Sequence, residues 1–460
     1  MTLRRASVIL TLVAGLAAAL SAAGGERGFR GFLVMRGAQV LASENADQLF
    51  VPGSVRKLIV AAAALHHLGP DHRVVTELRA AGEIAEGTLR GDLVVRAAGD
   101  PTWNARFFKD DPRAPLKRLA RELAGRGIER VTGDLVVDTS RFPGRPSPLS
   151  RPTSELAYAY GAPSSALAVD ENTVMVEIAP GRRVGERGRV RGPAALRLLN
   201  HIRTVSRERH DRGTVDFLPV WRTNTIVVRG EYPVSEPGYR VELSVPYPDR
   251  YAAEVLRAVL RQQGIALAGQ VKLSETPVPA GESVLAQIAS PPLAALLGPL
   301  LRDSHNWYAE MLLRHLAAEL GGEGRRDEGL AIERQFLEEE VGLSPEAFVL
   351  DDASGLSPYN LLSPEAAVAL LRYVRSRPWR ELFVAALATP GKGTLAPWGR
   401  LPPLAAKTGT IRHTLALAGY LDPGSPEPVV FACFLNHRDE ASPVLRAEMA
   451  ALVRRWAPAR

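Results

Sequence analysis

Pro52-Gly53-Ser54-Val55-Arg56-Lys57-Leu58-Ile59-Val60-Ala61-Ala62-Ala63-Ala64-Leu65-His66-His67-Leu68-Gly69-Pro70 decides how the rest of this 460-residue chain is read. Pro52-Gly53 breaks the chain before this apolar stretch and Gly69-Pro70 ends it, so the pattern predicts a helix from Ser54 to about Leu68. Between Leu58 and Leu65 that helix is apolar on nearly every side, which places it in the middle of a domain. Ser54 and Lys57 are one turn apart, so their side chains share a face. The amino end of the helix also carries partial positive charge, which favours an alkoxide-like serine. The ordinary role for a serine after Pro-Gly is an N-cap. A cap explains neither Lys57 nor two motifs far downstream.

Those motifs are Ser304-His305-Asn306 and Lys407-Thr408-Gly409. Each alone is weak, and Ser43-Glu44-Asn45 shows how easily S-x-N arises. All three in this order are expected by accident in about one such chain in a thousand. Only six of the 57 basic residues are lysine, and two of those six fall in the motifs. Arginine keeps its proton at working pH, whereas a buried lysine can lose it. The trio supplies a nucleophile beside an amine, a hydroxyl beside an amide, and a second cation on an expected strand. It equips a serine acyl-transfer enzyme with lysine as the base, and it resembles the signature of penicillin-binding proteins and class A β-lactamases.

Composition narrows the setting. Arg4 and Arg5, the apolar run Ala6 to Leu20 and Ser21-Ala22-Ala23 read as a cleaved secretory signal over residues 1–23. That run is shorter than the ~20 residues a membrane span needs, and no later segment is apolar for long enough. The expectation is an exported protein without a stable membrane span, in the periplasm or at the outer face of the cell envelope. Apolar content of 46% and charged content of 23% are ordinary for a globular chain, and the length suggests two or three domains. Cys433, the single cysteine, lies in an apolar strand pattern and reads as core. The net charge of +7 comes from arginines spread along the chain. Nucleic-acid binding would need a basic stripe with interleaved aromatics, so no nucleic-acid partner is expected. His66 and His67 are adjacent on a helix and point apart, and H-E-x-x-H is absent from the sequence, so neither a metal nor another cofactor is expected.

Along the chain, Phe32–Met35 and Val40–Ala42 suggest a hairpin. From about residue 73 to 287 the texture changes. Gly91-Asp92-Leu93-Val94-Val95 and Gly133-Asp134-Leu135-Val136-Val137 are near-copies, each read as a turn followed by a strand, with an amphipathic helix between them at Ala114–Arg126. Residues 163–244 hold many short β-like runs, and a helix at Tyr251–Gln263 comes after them. Past Pro291-Pro292 helices return at Leu293–Leu301, Trp307–Leu320, 326–340 and 364–376. Lys407 then opens a closing set of strands, Leu415–Leu421 and Val429–Leu435, before a last helix at Pro443–Trp456.

In these residues the chain resembles the class C, low-molecular-mass penicillin-binding proteins of peptidase family S13, which are D-alanyl-D-alanine carboxypeptidases and endopeptidases. Ser54 to Lys57, Asp303-Ser304-His305-Asn306-Trp307-Tyr308-Ala309-Glu310 and Asp352-Ala353-Ser354-Gly355-Leu356-Ser357 carry the likeness, with Gly393-Thr394-Leu395 and Lys407-Thr408-Gly409-Thr410. Ser54 and Ser304 are 250 positions apart, and in that family the interval holds two inserted domains. The resemblance implies an α/β fold, a β-lactamase-like α/β sandwich with two nested smaller domains. The sandwich would comprise 24–72 and 288–460, an inserted α+β domain 73–162 and 245–287, and a nested mostly-β domain 163–244. It implies catalytic roles for Ser54, Lys57, Ser304, Asn306 and Lys407, and substrate binding by Thr408, Gly409 and Thr410. The backbone N–H groups of Ser54 and Thr410 would form the oxyanion hole. The partners implied are peptidoglycan peptides and β-lactams; the oligomeric state is left open.

His305 stands where that family more often has Asn or Asp, at a position expected to point away from the reaction centre. Asp352 and Ser354–Ser357 read as a structural turn without a chemical task. The rival readings are a serine β-lactamase, which would need a further carboxylate in a Glu-x-x-Leu-Asn pattern absent from this sequence, and a catalytically silent cell-wall binding protein. The intact Ser54/Lys57 pair argues against the second.

Overall fold

The computed structural model describes residues 28–208, 213–281 and 283–457; the expected signal segment, residues 1–23, lies outside them. The predicted hairpin forms from β1 (Phe29–Arg36) and β2 (Gln39–Glu44). The chain then makes a 3-10 turn, Gly53–Arg56, that leads into α1 (Lys57–His67). Four elements come next in the changed texture: β3 (Val75–Ala85), β4 (Thr88–Arg96), α2 (Ala114–Gly125) and β5 (Arg130–Val131). After them lie β6 (Leu135–Asp138), β7 (Thr173–Ala179), β8 (Arg189–Arg191), β9 (Arg197–Val205), β10 (Thr214–Val220), β11 (Thr225–Pro233) and β12 (Tyr239–Ser244). The region closes with α3 (Pro248–Gln262), β13 (Ala266–Leu267), β14 (Val271–Ser274) and β15 (Val284–Ala289).

The remainder alternates helix and strand. It runs α4 (Ala294–Leu301), α5 (Asn306–Leu316), α6 (Arg326–Gln335), β16 (Phe348–Val349), β17 (Leu361–Leu362), α7 (Pro364–Arg375) and α8 (Arg380–Ala385). Three strands and a helix end it: β18 (Leu404–Ile411), β19 (Thr414–Leu421), β20 (Val429–Asn436) and α9 (Ser442–Trp456).

Both ends of the chain build one sheet. Its order is β18-β19-β20-β1-β2, antiparallel throughout, and β1 pairs with β20 from Phe29↔Asn436 to Arg36↔Val429. The central strands read as continuous apolar runs because the sheet is covered on both faces. Ala416, Ala418, Tyr420, Ala432 and Phe434 face the helical core that contains α1. Their alternating neighbours Leu415, Leu417, Phe431, Cys433 and Leu435 pack with Leu445, Met449 and Val453 of α9. Cys433 is fully buried there, and burial pushes its thiol pKa upward. Helix α1 lies beneath the sheet among α4, α5, α6 and α7, with every residue from Lys57 to Leu65 no more than 1% exposed.

The segment between α1 and α4 makes sheets of its own. One has seven strands and runs β13-β5-β4-β3-β15, with β6 and β14 joined beside β4. The two near-copies lie side by side in it, parallel and in register, with Leu93↔Leu135 and Val95↔Val137. Asp92 accepts the Asp134 N–H at 2.7 Å, and Asp134 in turn accepts the Gln270 N–H of the next strand at 2.7 Å. The first copy is therefore not a turn, since Gly91 lies within β4; its aspartate staples adjacent strands. The other sheets, β10-β11-β9 and β12-β7-β8, have three strands each.

Candidate active site

The Ser54 turn is tighter than the sequence pattern predicts. Instead of one helix from Ser54, residues Gly53–Arg56 are 3-10 and the α-helix begins at Lys57. The edge strand β18 runs close against this turn. A Cβ on Gly409 would lie 2.2 Å from the Pro52 carbonyl oxygen and 3.1 Å from the Ser54 nitrogen, so glycine is needed for this approach. In a 3-10 turn, residues three apart eclipse one another. Lys57 Nζ thereby comes 2.7 Å from Ser54 Oγ. Ser54 caps no helix: the N-cap position is Pro52, and no side chain caps the turn.

Lys57 is completely buried. Besides Ser54 Oγ its Nζ donates to Asn306 Oδ1 at 2.7 Å and to the Ser354 carbonyl at 2.5 Å. A neutral amine can donate two of these three contacts and accept the third from the serine hydroxyl. Burial drives the Lys57 pKa from its ordinary 10.5 down to about 7; Asp352 and Glu310 oppose the fall, while Arg151 and Arg56 add to it. About half of the amines are then neutral near pH 7, as a general base requires.

Ser304 adopts a left-handed backbone, φ 62°, one residue before the N-cap of α5, so it too caps no helix. Its Oγ accepts from Lys407 Nζ at 2.7 Å, and the same Nζ donates to the Thr408 carbonyl at 2.8 Å. Lys407 lies within β18 rather than at its start. Burial, joined by the charge of Lys57, lowers its pKa well below 10.5. The structure thus brings Ser54, Lys57 and Asn306 together in one cluster and Ser304 with Lys407 in the next.

The edge of β18 faces the nucleophile turn. Ala388 and Ala406 exchange both backbone hydrogen bonds, at 3.1 and 2.9 Å, on the side of β18 away from β19. Backbone groups alternate along a strand, so the N–H and C=O of Thr408 and Thr410 open on that same side. A Cβ on Gly53 would sit 3.0 Å from the Thr410 nitrogen, which puts the Ser54 and Thr410 amides on adjoining stretches of backbone. The two threonine hydroxyls differ. Thr408 Oγ1 is buried and donates to Thr394 Oγ1 at 2.7 Å, while Thr410 is exposed.

Sequence reasoning missed the layer behind the lysine. Asp352, fully buried, accepts from the Ser354 hydroxyl at 2.8 Å, from the Gly355 and Ser357 N–H groups at 2.7 and 3.0 Å, and from Asn360 at 2.7 Å. That turn aims the Ser354 carbonyl at Lys57. Glu310 accepts the Ser354 N–H at 3.1 Å and pairs with Arg326 and Arg151. Burial alone would raise the Glu310 pKa, but the two arginines hold it at about 2. The available signal was a buried-type Asp-x-Ser-Gly turn without another task.

The middle segment also reaches the site. Asn306 Nδ2 donates to the Tyr160 carbonyl at 2.9 Å, and Arg151 reaches Ser354 Oγ at 3.3 Å. His305 contacts that segment too: its Nε2 is 2.8 Å from Glu171 Oε2, and its ring meets Tyr308 edge-on at 4.9 Å. A cleft of about 730 Å³ opens beside Tyr160, lined among others by Glu155, Tyr158, Phe217, Trp221 and Arg412.

Comparison with known proteins agrees with this architecture. The D-Ala-D-Ala carboxypeptidase 3 (S13) family matches residues 16–456. A D-alanyl-D-alanine carboxypeptidase of Actinomadura sp. (strain R39) is 32% identical over 436 residues, covering 89% of this chain and 77% of that protein. D-alanyl-D-alanine carboxypeptidase DacB of Haemophilus influenzae is 28% identical over 407 residues, covering 86% and 83% respectively. The crystal structure of penicillin binding protein 4 (dacB) from Haemophilus influenzae superposes with a TM-score of 0.85 at 25% identity, covering 94% of this chain and 97% of that one. Matched over nearly all its length in both sequence and fold, the chain belongs to the S13 family of D-Ala-D-Ala carboxypeptidases.

Proposed function

We propose that this chain is a serine-type D-Ala-D-Ala carboxypeptidase that also acts as a D,D-endopeptidase on peptidoglycan stem peptides. The contact of Lys57 Nζ with Ser54 Oγ, 2.7 Å long and made by a buried amine, carries the reading. Neutral Lys57 takes the hydroxyl proton as Ser54 Oγ bonds to the carbonyl carbon of the penultimate D-Ala. The Ser54 and Thr410 N–H groups meet the developing oxyanion, a stabilisation worth about 3–4 kcal/mol per donor. Collapse breaks the peptide bond, and the leaving amine receives the proton from Lys57 or through Ser304 and Lys407. Water then hydrolyses the ester with Lys57 again as base. Asn306 holds the lysine, and Thr408, Gly409 and Thr410 line the substrate's path, with the terminal carboxylate nearest the Thr410 hydroxyl and Lys407.

The same acylation makes the enzyme sensitive to β-lactams; a related structure of the Haemophilus influenzae protein is a complex with a β-lactam. The cleft beside Tyr160 takes the rest of the stem, with Arg412 and Glu155 offering opposite charges. Residues 1–23 direct export to the periplasm or the outer face of the envelope. No described helix is long and apolar enough to cross a membrane. We read 73–162 with 245–287, and 163–244, as two modules set into the catalytic sandwich.

Purified peptidoglycan fragments provide the test. Mass spectrometry is expected to show loss of one D-Ala, or cleavage of D-Ala-linked cross-bridges, by the wild type and neither by Ser54→Ala. A fluorescent penicillin that fails to label Ser54 would refute the mechanism, and fast release of the label would make the protein a lactamase.

A further inference from the structure

Between Gly181 and Arg207 the chain carries eight arginines and a single acidic residue, Glu186. All eight arginines are exposed. The sheet register gathers them instead of scattering them. Arg187, Arg189 and Arg191 are two residues apart, so they share a face, as do Arg197, His201 and Arg203 along β9. Arg187 stands directly opposite Arg203, and Arg229 of β11 lies beside His201. Like charges directly across a sheet are destabilising.

The acidic residues nearby neutralise only part of this face. Glu186 is used by the backbone N–H groups of Arg182 and Arg183. Glu177, opposite Arg191, pairs with Arg240. Asp216 lies 3.8 Å from Arg229, and Glu231 stands beside Arg203. The side chains of Arg182, Arg183, Arg187, Arg191 and Arg197 form no ion pair among the described residues. An excess of positive charge of this kind works against folding, and its use is to attract an opposite charge.

We propose that this arginine face docks the terminal carboxylates of neighbouring stems on the same peptidoglycan polymer. The identity of the polymer rests on the function proposed above. By that reaction a free stem ends in a carboxylate both before and after cleavage, so the substrate is a polyanion with regularly spaced charges. The guanidinium fork matches a carboxylate in two-point contact. The position also fits. The sheet runs β10-β11-β9, and Phe217 and Leu218 of β10 line the cleft beside Tyr160. The arginine rows of β9 begin two strand spacings further out, roughly 10 Å. A stem held in the cleft leaves its neighbours over the arginines, which favours polymer over free peptide.

Co-sedimentation with purified peptidoglycan stripped of phosphodiester polymers tests the proposal, beside hydrolysis of a soluble peptide ending in D-Ala-D-Ala. The wild type is expected to pellet at low ionic strength and to be released as added salt cuts the screening length below ~10 Å. The triple variant Arg189→Glu, Arg191→Glu, Arg203→Glu is expected to lose about tenfold in binding while hydrolysing the soluble peptide at the wild-type rate. If charge reversal unfolds the module, Arg→Gln at the same positions should still weaken pelleting. Pelleting of either folded variant at the wild-type level overturns the proposal. So does wild-type binding that survives amidation of the wall carboxylates, or that needs phosphodiester polymers. Failure of the wild type to hydrolyse the soluble peptide would instead count against the proposed activity, with the docking result still read from the pellet.

Discussion

Lys57 holds three oxygen partners around one buried nitrogen, and this sets how acylation should vary with pH. With the pKa lowered to about 7, the base is protonated and idle below that value and free above it. The second-order rate of β-lactam acylation is therefore expected to rise through pH 7 and level off above it; a rate independent of pH between 5 and 9 would contradict a lysine base. Lys57→Ala should slow acylation by roughly 10²–10⁴-fold. The lysine was legible because the motifs name it, whereas its environment was not, since Ser354 and Asp352 are remote in sequence. His305 shows the same limit. Its partner Glu171 sits in a turn where Asp170, Glu171 and Asn172 all have positive φ, from 53° to 56°. Burial would raise the Glu171 pKa, but bonds from His305, Arg106 and Tyr308 hold it at about 2. A depressed carboxyl stabilises the fold above its unfolded pKa of about 4.5 and loses that effect as pH falls towards 2. Glu171→Gln is thus expected to lower the Tm at pH 7, with the gap from wild type closing as the pH falls from 4.5 to 2. A gap that stays constant would place the carboxylate outside the pairing.

At the scale of elements, three short pieces of backbone meet at the nucleophile: the 3-10 turn, the edge of β18 and the Asp352 turn. Gly355 joins the third to the first. Its φ is 77°, and a Cβ would lie 1.9 Å from the Gly53 carbonyl oxygen. Gly355→Ala must push the Ser54 turn away, adding steric clash to a conformation that already costs about 1–3 kcal/mol for a non-glycine residue. Its expected result is a lower Tm together with acylation slowed at least as far as an oxyanion donor lost, about 10²-fold; normal acylation would mean that the turns are independent. The helices and the closing strands were readable because their apolar patterns are long. Strands β3 and β15 were not, because β3 alternates short and charged residues and β15 is six residues long. Pairing makes them strands: β3 lies between β4, Glu77↔Arg96 to Ala85↔Thr88, and β15, Ala289↔Val75 to Val284↔Arg79. The same sheet extends past residue 287, where the change of texture ends in the sequence.

On the scale of the molecule, the middle segment leaves and re-enters at one place, since the Ser290 N–H bonds the Val74 carbonyl and the Leu293 N–H the His72 carbonyl, both at 2.9 Å. Such a segment could be a passive appendage, but its contacts say otherwise. Trp307 Nε1 donates to the Pro163 carbonyl at 3.0 Å, and buried Arg314 donates to the Pro143 and Arg145 carbonyls. Arg106, Arg141 and Glu171 add ion pairs to the connection, and Arg151 carries the one that reaches the lysine. It is 5% exposed and lies 3.4 Å from Glu310 and 3.9 Å from Asp352, and its charge helps to lower the Lys57 pKa. Replacing it by methionine keeps most of the volume and removes the charge, which leaves Glu310 and Asp352 freer to stabilise the Lys57 ammonium. The Lys57 pKa should then rise, so the acylation profile should move to higher pH, and the rate at pH 7 should fall while the high-pH plateau is largely retained. A structural role alone would lower the plateau and leave the midpoint where it was. Stopped-flow acylation across pH, on Arg151→Met and wild type side by side, separates the two, and an unmoved midpoint would make the middle segment scaffolding only.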